Sequence, residues 1–368
     1  MYRYMKLLKK SLIALLAIPI ILSCRKNHPP VSEPLYFPPS GSETWETISP
    51  SALGWNTEEI PALLTLLETN GTRGFILLKD GKIVMEEYFG QNILANGLFT
   101  RGSIWYWASA GKTLTAFVAG KASEEGLLFL NKPTSDYLGT GWTSLTPTQE
   151  EQITVRHQLT MSTGLDDGVA DNHNFTPGNM IYKAPAGTRW AYHNAPYSIL
   201  ENVIASATGE TFNTYFNEKL RDRIGMDGFW SWIDYDNVYF STPRAMARFG
   251  LLILNEGTWR DEVIMEDADY FNKMITPSQN LNKSYGYLWW LNGKESFMVP
   301  GLQTVIPGSL NPNAPADMVS GLGKNGQYVS VVPSQNIVLV RMGENPIGVE
   351  VPFLFLDEIW KKLNLIIP

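Results

Sequence analysis

Strand signals stand at both ends of this chain and helical signals fill its middle, and that order narrows the fold more than any single motif does. Near the start, Phe75 to Leu78, then Asp80-Gly81, then Ile83 to Phe89 read as a β-hairpin. Asp-Gly supplies the positive backbone angles that a tight hairpin turn needs. From about residue 104 to 280 the pattern is mostly helical. Thr211 to Leu220 and Arg244 to Leu254 repeat apolar side chains at helical spacing, and Gly209 and Gly257 interrupt them. Strand signals return at Tyr285 to Leu291, Gln327 to Val332 and Ile337 to Met342, the last two joined by the turn-forming Pro333-Ser334-Gln335-Asn336. A closing helix opens near Pro352 and puts Phe355, Leu356, Ile359, Trp360 and Leu363 on its buried side. The simplest architecture is α+β. One antiparallel sheet is made from both ends (residues 46–103 and 281–368), flanked by N- and C-terminal helices, with an all-helical part (104–280) inserted between.

Length and composition suit this plan. The chain has 368 residues, 44% hydrophobic and 18% charged, enough for a sizeable core. Net charge is -7 and no basic run follows the first thirty residues, so nucleic acid is not an expected partner. The N-terminus carries Arg3, Lys6, Lys9 and Lys10, then an uncharged stretch from Leu12 to Leu22 that Pro19 interrupts. It is too short for a comfortable membrane span and reads as an export signal over residues 1–23. The stretch Ile21-Leu22-Ser23-Cys24 resembles a bacterial lipobox, which implies a lipid on Cys24 and a place in the cell envelope, periplasmic or surface-exposed. Cys24 has no second cysteine to pair with, so an intramolecular disulfide is excluded. Residues 24–45, with Pro29, Pro30, Pro34, Pro38 and Pro39, read as an extended tether to the domain at 46–368.

The chemistry is concentrated at Ser109-Ala110-Gly111-Lys112. The run that follows reads as a helix, with Leu114, Phe117, Val118 and Ala122 in register and Gly126 as its stop. A serine and a lysine three apart share one helical face, so the amine can reach the hydroxyl. At a helix start, Ser109 also meets free N–H groups that favour a developing oxyanion. The spacing alone is weak: Ser23 and Lys26 repeat it by chance. Two further segments strengthen it. Tyr192-His193-Asn194 offers a phenol whose pKa an ammonium can lower, suited to moving protons, and an amide that can donate to a substrate. Lys324-Asn325-Gly326 precedes a strand, and its lysine can bind a substrate carboxylate. Gly326 would let the backbone approach, and the N–H of Gln327 would be the second oxyanion donor beside that of Ser109.

Taken in order, these segments resemble the S-x-x-K, Y-x-N and K-T-G motifs of the serine β-lactamase and penicillin-binding-protein superfamily. The likeness is to the branch of class C β-lactamases, D-alanyl-D-alanine carboxypeptidases, esterases and 6-aminohexanoate-dimer hydrolases. Ile153 to Leu165 is similar to the segment often written ITIRHLLTHTSGL, and Ser241 to Gly250 resembles another family stretch. The resemblance runs from about residue 50 to the C-terminus. It implies an α/β part with an inserted helical part, and a covalent acyl-enzyme on Ser109. Departures are Asn325 for threonine or serine, His193 inside the second motif, and Met161 where many relatives have histidine. Ser284 to Trp290 looks more like esterases and amidohydrolases than β-lactamases, and no glutamate matches the class A deacylation base, which leaves Tyr192 for that step.

The expected activity is therefore hydrolysis of a small ester or amide, with a β-lactamase or D-peptidase as alternative. A catalytically silent envelope-binding or sensor protein on the same fold is the reading from another class. No cofactor or metal is expected: His28, His157, His173 and His193 lack H-E-x-x-H spacing, and no G-x-S-x-G elbow occurs.

Overall fold

The expected hairpin is formed by the strands Thr72–Lys79 and Lys82–Tyr88, with Asp80 and Gly81 both at positive φ in the turn. The computed structural model describes residues 34–346, 348 and 351–368. The expected export signal, Cys24 and the expected tether up to residue 33 lie outside the described residues. Leu35–Pro368 form one unit.

Among the described residues the main sheet has six antiparallel strands. From one edge the order is Lys82–Tyr88, Thr72–Lys79, Ile337–Gly343, Gln327–Val332, Val319–Gly323 and Trp290–Leu291. Both ends of the chain thus contribute, as the pattern predicts. The two central strands from the C-terminal part are buried at every position, so both faces of the sheet are covered. The Ile60–Thr69 and Phe353–Ile366 helices pack on each other, and Asn56 N–H donates to the Ile366 carbonyl at 2.8 Å. All five apolar residues expected on the closing helix are buried. The Pro243–Leu254 helix also packs on the sheet. It comes so close that a Cβ on Gly250 would lie 2.5 Å from Val338.

The inserted part is not wholly helical. A smaller sheet there joins Trp105–Tyr106, Asp236–Ser241 and Phe229–Ile233. The aromatic runs Phe229-Trp230-Ser231-Trp232 and Val238-Tyr239-Phe240 suit strands better than helices. Asp234, at φ 52, turns the chain between them. A second difference is the tether. From Leu35 to Trp45 it lies against the domain instead of extending away. Phe37 and Trp45 are buried, Trp45 Nε1 donates to the Gly81 carbonyl at 2.8 Å, and Arg248 donates to the Pro38 and Pro39 carbonyls. Prolines keep this strap extended, while its aromatic residues gain by burial.

Candidate active site

The helix Lys112–Glu124 is buried along nearly its whole length, which fits a central helix walled on all sides. Ser109 sits just before it in the short 3-10 turn Ala108–Gly111. Ala108 has φ 46, unfavourable for a residue with a Cβ, immediately before the serine. The strand before this turn is pinned: Trp105 and Tyr106 pair with Ser241 and Phe240, and Trp107 N–H donates to the Tyr239 carbonyl at 2.8 Å. Strained backbone held by paired neighbours fixes where Ser109 points.

Lys112 Nζ stands 3.1 Å from Ser109 Oγ. The lysine is buried, and burial lowers its pKa to about 8, against a weaker upward pull from Asp236. An ammonium loses most by leaving water, so the neutral amine is reached at a lower pH here than in water. Its nitrogen also lies 5.3 Å from the ring centre of Tyr192 and 4.1 Å from that of Tyr197. Tyr197 did not stand out in the sequence. Burial, with Glu201 adding to it, pushes its phenol well above the ordinary range, and its hydroxyl lies 3.1 Å from Thr115 Oγ1. Tyr197 therefore forms a neutral wall of the lysine pocket, and the Tyr192 ring lies on the same nitrogen.

Tyr192 is held by aromatic packing. It stacks on Trp290 at 5.9 Å between ring centres and meets the edge of Tyr285 at 6.2 Å. Of the aromatic segment 285–290, Tyr285 and Trp290 thus seat Tyr192, Tyr287 packs on Tyr270 and Trp289 on Phe249, and all four are buried. Asn194 is buried too, and its Nδ2 lies 3.1 Å from His173 Nε2. The other nitrogen of that ring meets Asp236. Asp236 is raised by burial, but the His173 hydrogen bond and the charges of Lys112 and Lys324 outweigh this and hold it below the usual carboxylate range. Asp236 and His173 belong to the site's electrostatics, and no motif marks them.

The third segment behaves differently from its sequence reading. Lys324 is exposed, within electrostatic reach of Asp236. Asn325 Nδ2 donates to the Tyr106 hydroxyl at 2.7 Å. The carbonyls of Asn325 and Gly326 accept from the fully buried Arg341, whose remaining donors reach Thr72, Asn70 and Glu344. Gly326 lacks a side chain because a Cβ would meet Arg341 at 2.6 Å. The glycines that come close to the serine turn are Gly321 and Gly323. A Cβ on Gly323 would lie 2.4 Å from the Trp107 carbonyl oxygen, and one on Gly321 would lie 3.2 Å from that of Ala110. These glycines are two apart on one strand, hence on one face, and that alternation was the available signal. Gln327 begins the next strand, its side chain bonded both ways to Gly343.

A cavity of about 450 Å³ lies elsewhere, between the strap at Ser40–Trp45 and Arg101, Arg244 and Arg248. Ser109, Lys112, Tyr192, Asn194 and Lys324 do not line it, and Arg244 and Arg248 already bond to Glu86 and to backbone carbonyls.

The fold and the Ser109–Lys112 turn define a chain of the β-lactamase/transpeptidase-like class. The chain belongs to the beta-lactamase family, whose model (Beta-lactamase) matches residues 70–345. A Bacillus subtilis (strain 168) protein named "Putative penicillin-binding protein PbpX" is 26% identical over 162 residues, 41% of this chain and 39% of that protein's length. Among solved structures, a "Putative 6-aminohexanoate-dimer hydrolase" from Bacillus anthracis matches with TM-score 0.64 at 18% identity, covering 87% of each chain. The octameric penicillin-binding protein homologue from Pyrococcus abyssi matches with TM-score 0.60 at 19% identity, covering 84% of this chain and 76% of that one. At these identities the structural likeness speaks for the fold.

Proposed function

We propose that this protein is a serine acyl hydrolase that acts on a small ester or amide through an acyl-enzyme on Ser109. The observation that carries the reading is a buried lysine, its pKa lowered to about 8, within 3.1 Å of a serine hydroxyl. Neutral Lys112 takes the proton as Ser109 Oγ bonds to the substrate carbonyl carbon. The carbonyl π pair moves onto oxygen, where the N–H groups at the serine turn and the Gly321–Gln327 region stabilise it. As the tetrahedral species collapses, the bond to the leaving group breaks and that group takes a proton through Lys112 and Tyr192. Water then attacks the acyl carbon, giving its proton to the same pair, and Ser109 leaves with a proton restored. Asn194 and Lys324 bind the substrate's polar groups, and Asn325 steadies the wall beside Tyr106.

Small esters and amides fit better than β-lactams. A β-lactam acyl-enzyme keeps its leaving group tethered, so deacylation needs a water activated beside it. The amide of Asn325 is engaged by Tyr106 and offers no hydroxyl to a carboxylate. Purified protein should hydrolyse a short-chain p-nitrophenyl ester with a kcat/KM at least tenfold above that for nitrocefin. A nitrocefin value tenfold higher would make β-lactamase the better reading. The N-terminal sequence supports export and lipid anchoring at Cys24. Cys24→Ser should then move the mature protein from the membrane fraction to the soluble one, and unchanged fractionation would rule the anchor out.

A further inference from the structure

We propose that His173 and Asp236 are positioning residues that fix the orientation of the Asn194 amide; this rests on the acyl-hydrolase reading above. The Asp236 carboxylate lies 2.9 Å (Oδ1) and 2.7 Å (Oδ2) from His173 Nδ1, and His173 Nε2 lies 3.1 Å from Asn194 Nδ2. A carboxylate only accepts, so it selects the ring tautomer with its proton on Nδ1. Nε2 of the neutral ring is then an acceptor, and Asn194 must turn its NH₂ group toward it. One hydrogen of that group goes to the imidazole. The second remains for a substrate carbonyl.

Without the imidazole nothing would choose between the two ends of this amide, which have nearly the same shape. Asn194 is buried, and its Oδ1 has no hydrogen-bond partner among the described residues, so Oδ1 does not fix the orientation. The three residues come from separate places: a loop before the second motif, the first turn of the Asn194–Ser198 helix, and the first residue of the Asp236–Ser241 strand. Local folding does not require them to meet. A purely stabilising clip is a poor account, because the His173 and Asp236 side chains are 40% and 36% exposed, and exposed pairs contribute little. Asp236 also places its charge within reach of both Lys112 and Lys324, so the chain of contacts ends on the site itself.

The test is a mutant cycle on kcat/KM for p-nitrophenyl acetate at about pH 8.5, just above the value of about 8 for Lys112. His173→Ala should cost about tenfold in the wild-type background and less than about twofold in an Asn194→Ala background, because the ring acts only through that amide. His173→Gln, whose Oε1 can stand near the position of Nε2 and accept from Asn194, should recover to within about threefold of wild type. Equal costs in both backgrounds, or a glutamine variant no better than alanine, would overturn the proposal. Thermal midpoints of all variants should stay together, and the glutamine variant decides if alanine alone unfolds. Turnover with independent effects would overturn this inference alone. Absence of both turnover and acylation of Ser109 would overturn the hydrolase reading with it.

Discussion

Lys112 Nζ lies 3.1 Å from Ser109 Oγ and 4.1 Å above the ring of Tyr197, in a pocket where the lysine is almost wholly shielded from water. Desolvation is the main reason its pKa falls to about 8, and a base must be unprotonated to act. Acylation should therefore rise with pH through about 8 and level off above it. The measurement is kcat/KM for a p-nitrophenyl ester from pH 6 to 10, corrected for spontaneous hydrolysis. A limb centred near 10.5, the ordinary lysine value, would mean that burial does not tune this group.

The same burial costs stability. Below about pH 8 Lys112 is charged in both the folded and unfolded chain, and the fold bears the full desolvation cost. Between about 8 and 10.5 the folded form loses its proton first, so this cost is relieved as pH rises. Lys112→Met should raise stability at pH 7 by about 1–3 kcal/mol while lowering kcat about 10²–10⁴-fold. The gain should shrink toward pH 10. Urea denaturation at the two pH values checks both signs.

Glu201 gives the opposite slope. Burial raises its pKa to about 8, against a hydrogen bond from Asn237 that lowers it. The folded state thus holds a proton that the unfolded chain releases near pH 4.5. Its contribution is fully present below 4.5 and is lost as pH rises through about 8. Between pH 5 and 9 the wild type should lose roughly 2–4 kcal/mol more than Glu201→Gln, which cannot titrate. Parallel losses in urea midpoints would show that Glu201 titrates normally.

Gly323 and Gly326 separate approach to the site from support of the turn. Gly323→Ala puts a methyl group 2.4 Å from the Trp107 carbonyl, so the serine turn or the strand must shift. Activity should fall at least tenfold for a stability loss of about 2–4 kcal/mol. Gly326→Ala, strained at φ 75 and crowded by Arg341, should cost similar stability but less activity. Equal activity loss would place the two glycines on the same footing.

The sheet and closing helix were legible because their signals are periodic and local: Asp80-Gly81 between apolar runs, and Phe355 to Leu363 at helical spacing. Of the candidate residues, Ser109, Lys112, Tyr192 and Asn194 each lie in a short motif, and the structure brings the first three together. The Phe229–Ser241 hairpin was hidden within a helical stretch, its strands only five and six residues long. Asp236 and His173 were hidden for a different reason. They meet across 63 positions of sequence, and neither has a neighbour that marks it. The strap at 35–45 read as a linker because its prolines outweighed its aromatics, and only burial of Phe37 and Trp45 shows otherwise. In the third motif the lysine and glycine drew attention to 324–326, whereas contact with the serine turn falls to Gly321 and Gly323.

The central claim is that Ser109 forms the acyl-enzyme, and labelling with a fluorophosphonate probe read by intact mass and peptide mapping tests it most directly. Wild-type protein should gain one probe mass, located on Ser109, and Ser109→Ala should gain none while keeping its circular dichroism spectrum. An adduct on another residue, or an adduct that persists in Ser109→Ala, would contradict the account.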